Sequence, residues 1–194
     1  MNISQIYQWW DVFKHGNTLT EIRIIDGTRT YSGYFKDVET LIKAVEPYDR
    51  MQNAQIYFTL NHIKDACYGR AQHDKIIQIK REPTTSDIDI DGRTHVLVDI
   101  DPKRPAGVSA SNAELELAHR KAVDVYRYLV LQGFHDPIIC KSGNGYHIVI
   151  PCNIGVSAET DGIIKQFIQV LSLIFSDDKV DIDEKVFNPA RICK

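Results

Sequence analysis

Cysteine is scarce and scattered. The four residues, Cys67, Cys140, Cys152 and Cys193, contain no C-x-x-C pair. Such spacing gives neither a disulfide framework nor a common zinc finger, so free, buried thiols in a cytoplasmic protein are expected. His62, Cys67 and His73 offer a zinc reading only at a spacing that no common finger uses. Long apolar runs are missing too, so no segment reads as a membrane span. The N-terminus, MNISQIYQWWDVFK, lacks the basic start and small-residue cleavage site of a signal peptide. Nor is there an excess of positive charge. A net charge of -3 argues against a surface coated for nonspecific nucleic-acid binding. It leaves room for a local groove, because metal-binding carboxylates subtract from the total. Repeats and low-complexity tracts are also absent.

What remains is an ordinary globular composition. At 194 residues the chain can form one substantial domain or two small ones. Ile3, Ile6, Trp10 and Phe13 stand at helical spacing, which predicts a helix over 3 to 14. LTEIRIIDGTRTYSGYF reads as two strands joined at Asp26-Gly27. DVETLIKAVEPY reads as a helix with Val38, Leu41, Ile42 and Val45 on one face, and AQIYFTLN as a buried strand. The segment 82 to 92 predicts a surface connection and the best place for a subdomain boundary. Beyond it come a strand, HVLVDID, and a long helix. Ser111 and Glu114 fit a capping box at its start, and Gly133 fits its stop. Leu115, Ala118, Ala122, Val125 and Leu129 make its inner face. A hairpin follows, then a helix over 158 to 176 with Ile164, Phe167, Leu171 and Phe175 inward, then VDIDEKVFNPARICK. Strand, helix, hairpin, helix and strand predict an α+β fold, a mostly antiparallel sheet with helices on one face.

Two places carry chemistry. In HVLVDID the side chains alternate, so Val96, Val98 and Ile100 face a core while His95, Leu97, Asp99 and Asp101 face the other way. Asp99 and Asp101 then lie about 6–7 Å apart on one face. Unpaired, they repel each other, and a divalent cation removes that repulsion. Hard oxygen ligands suit Mg²⁺ or Mn²⁺. A solvated strand end, with the acids paired to Lys103 and Arg104, is the plainer reading of the same residues. VDID near the C-terminus repeats the pattern with Asp181 and Asp183, and a third carboxylate there would complete a two-metal site. The second place is CKSGNGYH. With Asn144-Gly145 as the central turn residues, Ser142 stands opposite His147, and Gly143, opposite Tyr146, leaves backbone open to an anion. A turn followed by a surface histidine is the alternative there.

Together these segments resemble a known family. Asp-Ile-Asp-Pro with Arg104 and Pro105 after it, Ser-Gly-Asn-Gly-Tyr-His, and a hydrophobic-Asp followed by VFNPARICK resemble the catalytic core of the archaeo-eukaryotic primase superfamily. The likeness is to the primase-polymerases of phages, plasmids and CRISPR-associated or other mobile bacterial elements. EIRI, YSGYF and IYFTLN add to it, so it covers nearly the whole chain. It implies a modified RRM-like sheet over about 91–194 beside an N-terminal α/β subdomain over about 1–90. It implies DNA primase or template-dependent polymerase activity, with Mg²⁺ or Mn²⁺ held by Asp99, Asp101 and Asp183. Asp181 is the competing third acid. His147 is carried over as a contact to the triphosphate of an incoming NTP or dNTP, with Ser142, Lys141 and Gly143 beside it. Arg191 and Lys194 are carried over as further phosphate ligands. The implied partner is a DNA template and primer. The family sequence continues past the NPARI-x-K segment, so a longer protein with a helicase or accessory domain is expected. A rival reading is a non-catalytic nucleic-acid-binding or replication-initiation module. Rolling-circle initiators need a His-hydrophobic-His pair, and Tyr146-His147-Ile148-Val149 supplies one His. A metal-dependent glycosyltransferase would explain D-x-D but neither the hairpin nor NPAR.

Overall fold

The computed structural model describes residues 3–14, 19–51, 53–105 and 107–194. The chain divides into two compact units. One runs to Gly92 and also takes Pro189–Lys194; the other is Arg93–Asn188.

The first unit opens with helix α1 (Ile3–Lys14) and the hairpin β1 (Thr20–Asp26) and β2 (Arg29–Phe35). Gly27 takes a φ of 57° at the hairpin tip, a conformation that suits glycine. Helix α2 (Val38–Asp49) follows, capped by Asp37, whose Oδ2 accepts from the Thr40 N–H at 2.7 Å. Then come β3 (Ala54–Thr59), β4 (His62–Ile63), β5 (Ile77–Gln78) and the start of the long strand β6 (Ile90–Pro102). Leu41 and Val45 of α2 and Trp10 of α1 pack with Ile22, Ile24 and Phe35 of the sheet. Of the faces expected from spacing, Trp10, Phe13, Leu41, Ile42 and Val45 are buried and Ile6 and Val38 half-buried; the Ile3 side chain lies outside the described residues.

Beneath this core lies a buried carboxylate. Glu21 is 0 % exposed. Its oxygens accept from Arg23 Nη2 at 2.7 Å, Ser32 Oγ at 2.6 Å and the Thr85 N–H at 3.2 Å. The connection over 82 to 92 is tied down at Thr85, itself buried, while Pro83, Ser86, Asp87, Ile88 and Asp91 are exposed, as expected of a surface connection. Glu21→Ala leaves the Arg23 charge without its partner and the Thr85 amide without its acceptor. The expected loss is roughly 3–5 kcal/mol, read as a lower urea midpoint at unchanged slope.

The second unit is built from β6, α3 (Asn112–Leu131), β7 (Ile138–Lys141), β8 (Tyr146–Ile154), α4 (Ala158–Phe175) and β9 (Val180–Ile182). Strand β6 pairs antiparallel with β8 on one side and β9 on the other, and β8 pairs with β7. The sheet order is therefore β9-β6-β8-β7, and the chain order β-α-β-β-α-β is the split-βαβ arrangement. The α+β class with antiparallel sheets is what forms. Ser111 and Glu114 make the expected capping box. Ala118, Ala122, Val125 and Leu129 are fully buried, while Leu115 is half-buried. In α4 the buried line is Ile164, Ile168 and Leu171. Phe167 and Phe175, expected inward, are half-buried at its margins, where they meet the rings of Phe134 and Tyr128 at 5.3 and 5.4 Å. Large rings at the edge of a helix face find cover from α3 and leave the tight centre to isoleucine.

The last strand, β10 (Ile192–Cys193), pairs with β3, not with the second unit's sheet. The Leu60 N–H donates to Arg191 O at 3.1 Å, and Asn61 Nδ2 to Pro189 O at 2.9 Å. The expected division placed everything after about 91 in the catalytic subdomain. Backbone pairing takes Pro189–Lys194 to the first unit instead. None of the four cysteines forms a disulfide; Cys67 and Cys193 are buried, and Cys140 and Cys152 are half-buried. Among the described residues no helix is long and apolar enough to cross a membrane.

Candidate active site

The second unit's sheet gathers most of the predicted residues on one face. Strand register gives two rows that cross it. In the first row Cys140 pairs with His147 and His147 with Asp99. The Asp183 N–H then donates to Asp99 O at 3.0 Å. In the second row the Ser142 N–H donates to Gly145 O at 3.0 Å, and Asp101 pairs with Asp181. Gly145 is the residue next to the Tyr146–Ile100 pair and so falls beside Asp101. Directly paired residues share a face, so Asp99, Asp101, Asp181, Asp183, His147, Ser142 and Cys140 stand together. The opposite face carries Val98, Ile100 and Tyr146, and the Tyr146 ring meets His119 of α3 at 5.0 Å.

The hairpin turns one residue earlier than the sequence reading expects. Cys140, not Ser142, is opposite His147, and Lys141, not Gly143, is opposite Tyr146. The tip is Gly143-Asn144. Gly143 takes a φ of 103°, and Asn144 Oδ1 leaves the strand line to accept from the Ala110 N–H at 3.2 Å. Gly145 is drawn into the strand. A two-residue change of register leaves each side chain on its face: Lys141 lies with Tyr146, away from the acids, and Ser142 stays on the acid face, one row from His147.

His147 is 8 % exposed, and its Nε2 lies 3.3 Å from Asp99 Oδ1. Asp101 is more open. Burial pushes its carboxyl above the usual range, and the Asp99 and Asp183 charges push it further; Arg104 and His147 act against them. Arg104 Nη1 stands 3.9 Å from Asp101 Oδ1, and two of its five N–H groups, on Nε and Nη1, donate to Val108 O and Pro102 O at 3.0 and 3.1 Å. Asp183 Oδ1 accepts from the Lys185 N–H at 2.9 Å. Asp181 is exposed, 4.0 Å from Lys103 Nζ. An open cleft of about 420 Å³ borders Asp101, Asp181, Asp183, Glu184 and Lys185.

The donor set fits a hard divalent cation in chemistry. Three carboxylates share one face with a partly offset negative charge, which a bound cation would stabilise. The geometry is not a closed cage: among the described residues no three His, Cys, Asp or Glu side chains are poised to hold a metal. Arg191 and Lys194 belong to the first unit. Arg191 is half-buried beside Leu60, and Lys194 borders an apolar cavity with Trp9 and Phe58. Sequence reasoning missed Cys140 and Gly145 as members of the acid face. Gly145 was hidden by the register, which put it in the turn; Cys140 shares the strand face of Ser142 in either register.

Comparison with known proteins finds no family model, no curated protein and no solved structure that matches the chain.

Proposed function

We propose that this chain carries the catalytic core of a metal-dependent nucleotidyltransferase, a DNA primase or template-dependent DNA polymerase of the archaeo-eukaryotic primase type. The observation that carries the reading is the acid face, where Asp99, Asp101 and Asp183 lie beside His147 on a split-βαβ sheet. That sheet is also the part of the fold we read as RRM-like. Asp99, Asp101 and Asp183 would hold Mg²⁺ or Mn²⁺. Bound ions of this kind lower the pKa of an attacking 3′-hydroxyl and offset charge on a triphosphate.

The chain's own residues supply position. His147 is held by its strand and by Asp99, so a ring N–H can be aimed at a phosphate oxygen without reorganisation. Ser142, across Gly145 from Asp101, offers a hydroxyl to the same anion. Lys141, on the far face, has no place in this set. The rigid strand β6 fixes the spacing of Asp99 and Asp101, which is what an in-line transfer requires of the protein. The partners in this reading are a DNA template with its primer and NTP or dNTP.

The test is incorporation of labelled nucleotide on a primed DNA template with Mn²⁺ or Mg²⁺. The expected product disappears with EDTA and returns when the metal is restored. His147→Ala should raise the KM for nucleotide roughly 10–100-fold, the effect of losing one hydrogen bond to a charged group, while the Kd for Mn²⁺ changes far less. DNA binding with no incorporation from any nucleotide would sink the polymerase reading in favour of a non-catalytic binding module.

A further inference from the structure

Two glycines flank Asn144, and they are there for different physical reasons. Gly143 is demanded by conformation, at a φ of 103°. Gly145 has no such φ. It is buried, and its demand is for space. A methyl group at Gly145 would drive into Asp101 Oδ1 and Ile100 O and would sit 3.2 Å from Asp101 Cα. A rotation of Asp101 clears only the first of these, because the other two atoms are backbone. Strand β6 therefore lies against the bare backbone of β8 at this one row, and the Asp101 carboxylate rests on the place where a side chain would otherwise stand.

We propose that Gly145 is a positioning residue for Asp101: its missing side chain lets the carboxylate lie back against β8, and this sets the direction in which Asp101 presents its oxygens to the acid face. The inference rests on the reading of Asp99, Asp101 and Asp183 as a cation site. Any larger residue at 145 turns Asp101 away from Asp99 and Asp183, or moves β8 from β6 at Ile100. In either case Asp101 no longer presents its oxygens to the acid face in this direction. The row thus has a division of labour. Asp101 supplies charge, Gly145 supplies the direction of that charge, and Ser142 stands at the far side of the gap.

The test is calorimetric titration of Mn²⁺ into the whole chain, with melting temperature measured without metal. Gly145→Ala should weaken Mn²⁺ binding roughly 10–100-fold, as loss of a group that orients a ligand does. Gly133→Ala is the control. Gly133 takes a φ of 88° after α3 with open space around it, so alanine there strains the backbone without touching the acid face. It should lower the melting temperature and leave Mn²⁺ affinity intact. In an Asp101→Asn background, Gly145→Ala should weaken Mn²⁺ binding no further, since the group it orients has already lost its charge. If Gly145→Ala alone fails to fold, Asp101→Ser is added to it. Recovery of folding supports a clash centred on the carboxylate; failure of both variants places the demand at Ile100 O, so that Gly145 serves strand packing, and overturns the proposal. Mn²⁺ affinity in Gly145→Ala equal to wild type also overturns it, as does an undiminished further loss in the Asp101→Asn background. No Mn²⁺ binding by the wild type removes the cation site itself, and the proposal with it.

Discussion

Asp101→Asn is expected to lower metal-dependent nucleotide incorporation by roughly 100–1000-fold, the loss of several kcal/mol of charge stabilisation at the reacting centre. The same variant is expected to melt at a temperature no lower than wild type, and a few degrees higher when metal is withheld. The opposite signs come from one charge. Asparagine keeps the shape that fits against Gly145, so packing is preserved. What it removes is a carboxylate whose ionised form is opposed by burial and by its neighbours Asp99 and Asp183. Arg104 offsets little of this, because it is 3.9 Å away and half-turned to backbone carbonyls. A partly exposed pair of that kind contributes at most about 1 kcal/mol. Wild type should therefore gain stability when Mn²⁺ is added, by the ordinary linkage of binding to folding, and the variant should gain far less. Scanning calorimetry with and without Mn²⁺, beside a primer-extension assay, reads both signs. Full activity in Asp101→Asn would remove Asp101 from the site. A melting temperature well below wild type would mean that the carboxylate serves the fold.

The elements of the second unit were legible because each carries a period and a stop. Val96, Val98 and Ile100 alternate with Leu97, Asp99 and Asp101, and that alone puts both acids on one face. Ser111 and Glu114 announce α3 by chemistry that needs no tertiary context. The hairpin register was not legible in the same way. Asn-Gly favours the centre of a two-residue turn, and CKSGNGYH contains two overlapping choices, Gly143-Asn144 and Asn144-Gly145. Local propensity ranks the second first. The structure takes the first because Gly145 must lie against Asp101, forty-four residues away in the chain, and because Asn144 is bound by the Ala110 N–H. No local pattern carries either contact. The consequence for the site is concrete: Cys140, not Ser142, stands opposite His147, and Gly145 leaves the turn to lie beside Asp101.

The first unit shows the same limit from another side. Its strands and helices follow from spacing, but Glu21 gives no sign of burial in TEIRIID, where it reads as an exposed acid between apolar residues. Its burial depends on Ser32, Thr85 and Arg23 arriving together. Likewise ICK at the C-terminus contains too little pattern to say which sheet it joins. The edge of β3 decides that, by offering unpaired backbone groups to Ile192 and Cys193.

Lys14 should make the stability of the protein rise steeply with pH above neutrality. It stands at the end of α1, on a helix that spacing alone would let it leave for solvent, yet its residue is 1 % exposed. Its Nζ donates to Thr59 O at 2.7 Å and Leu60 O at 3.4 Å, and lies 5.6 Å from the centre of the Phe58 ring. Burial lowers its pKa from 10.5 to about 7, with Cys193 acting weakly the other way. The folded protein thus releases this proton near pH 7, whereas the unfolded chain keeps it to about 10.4. Between those values the unfolded state binds more protons, so stability increases with pH; below pH 7 both states are protonated and the penalty is complete. From pH 7 to pH 10 the gain is about 4 kcal/mol. Lys14→Met keeps the length of the stem and removes the ionisable group. It forfeits the hydrogen bonds to Thr59 O and Leu60 O, which cost roughly 1–3 kcal/mol to leave unmade. The variant should therefore match or exceed wild type at low pH, where a buried cation is the greater burden. Wild type should overtake it at pH 10, where a neutral amine still donates to both carbonyls. Urea titrations of the two proteins at pH 6, 7 and 10 give the difference directly, because every other titrating group is shared. Parallel pH profiles would show that Lys14 holds its proton through the range, and that Thr59 O and Leu60 O stabilise the cation more than burial opposes it.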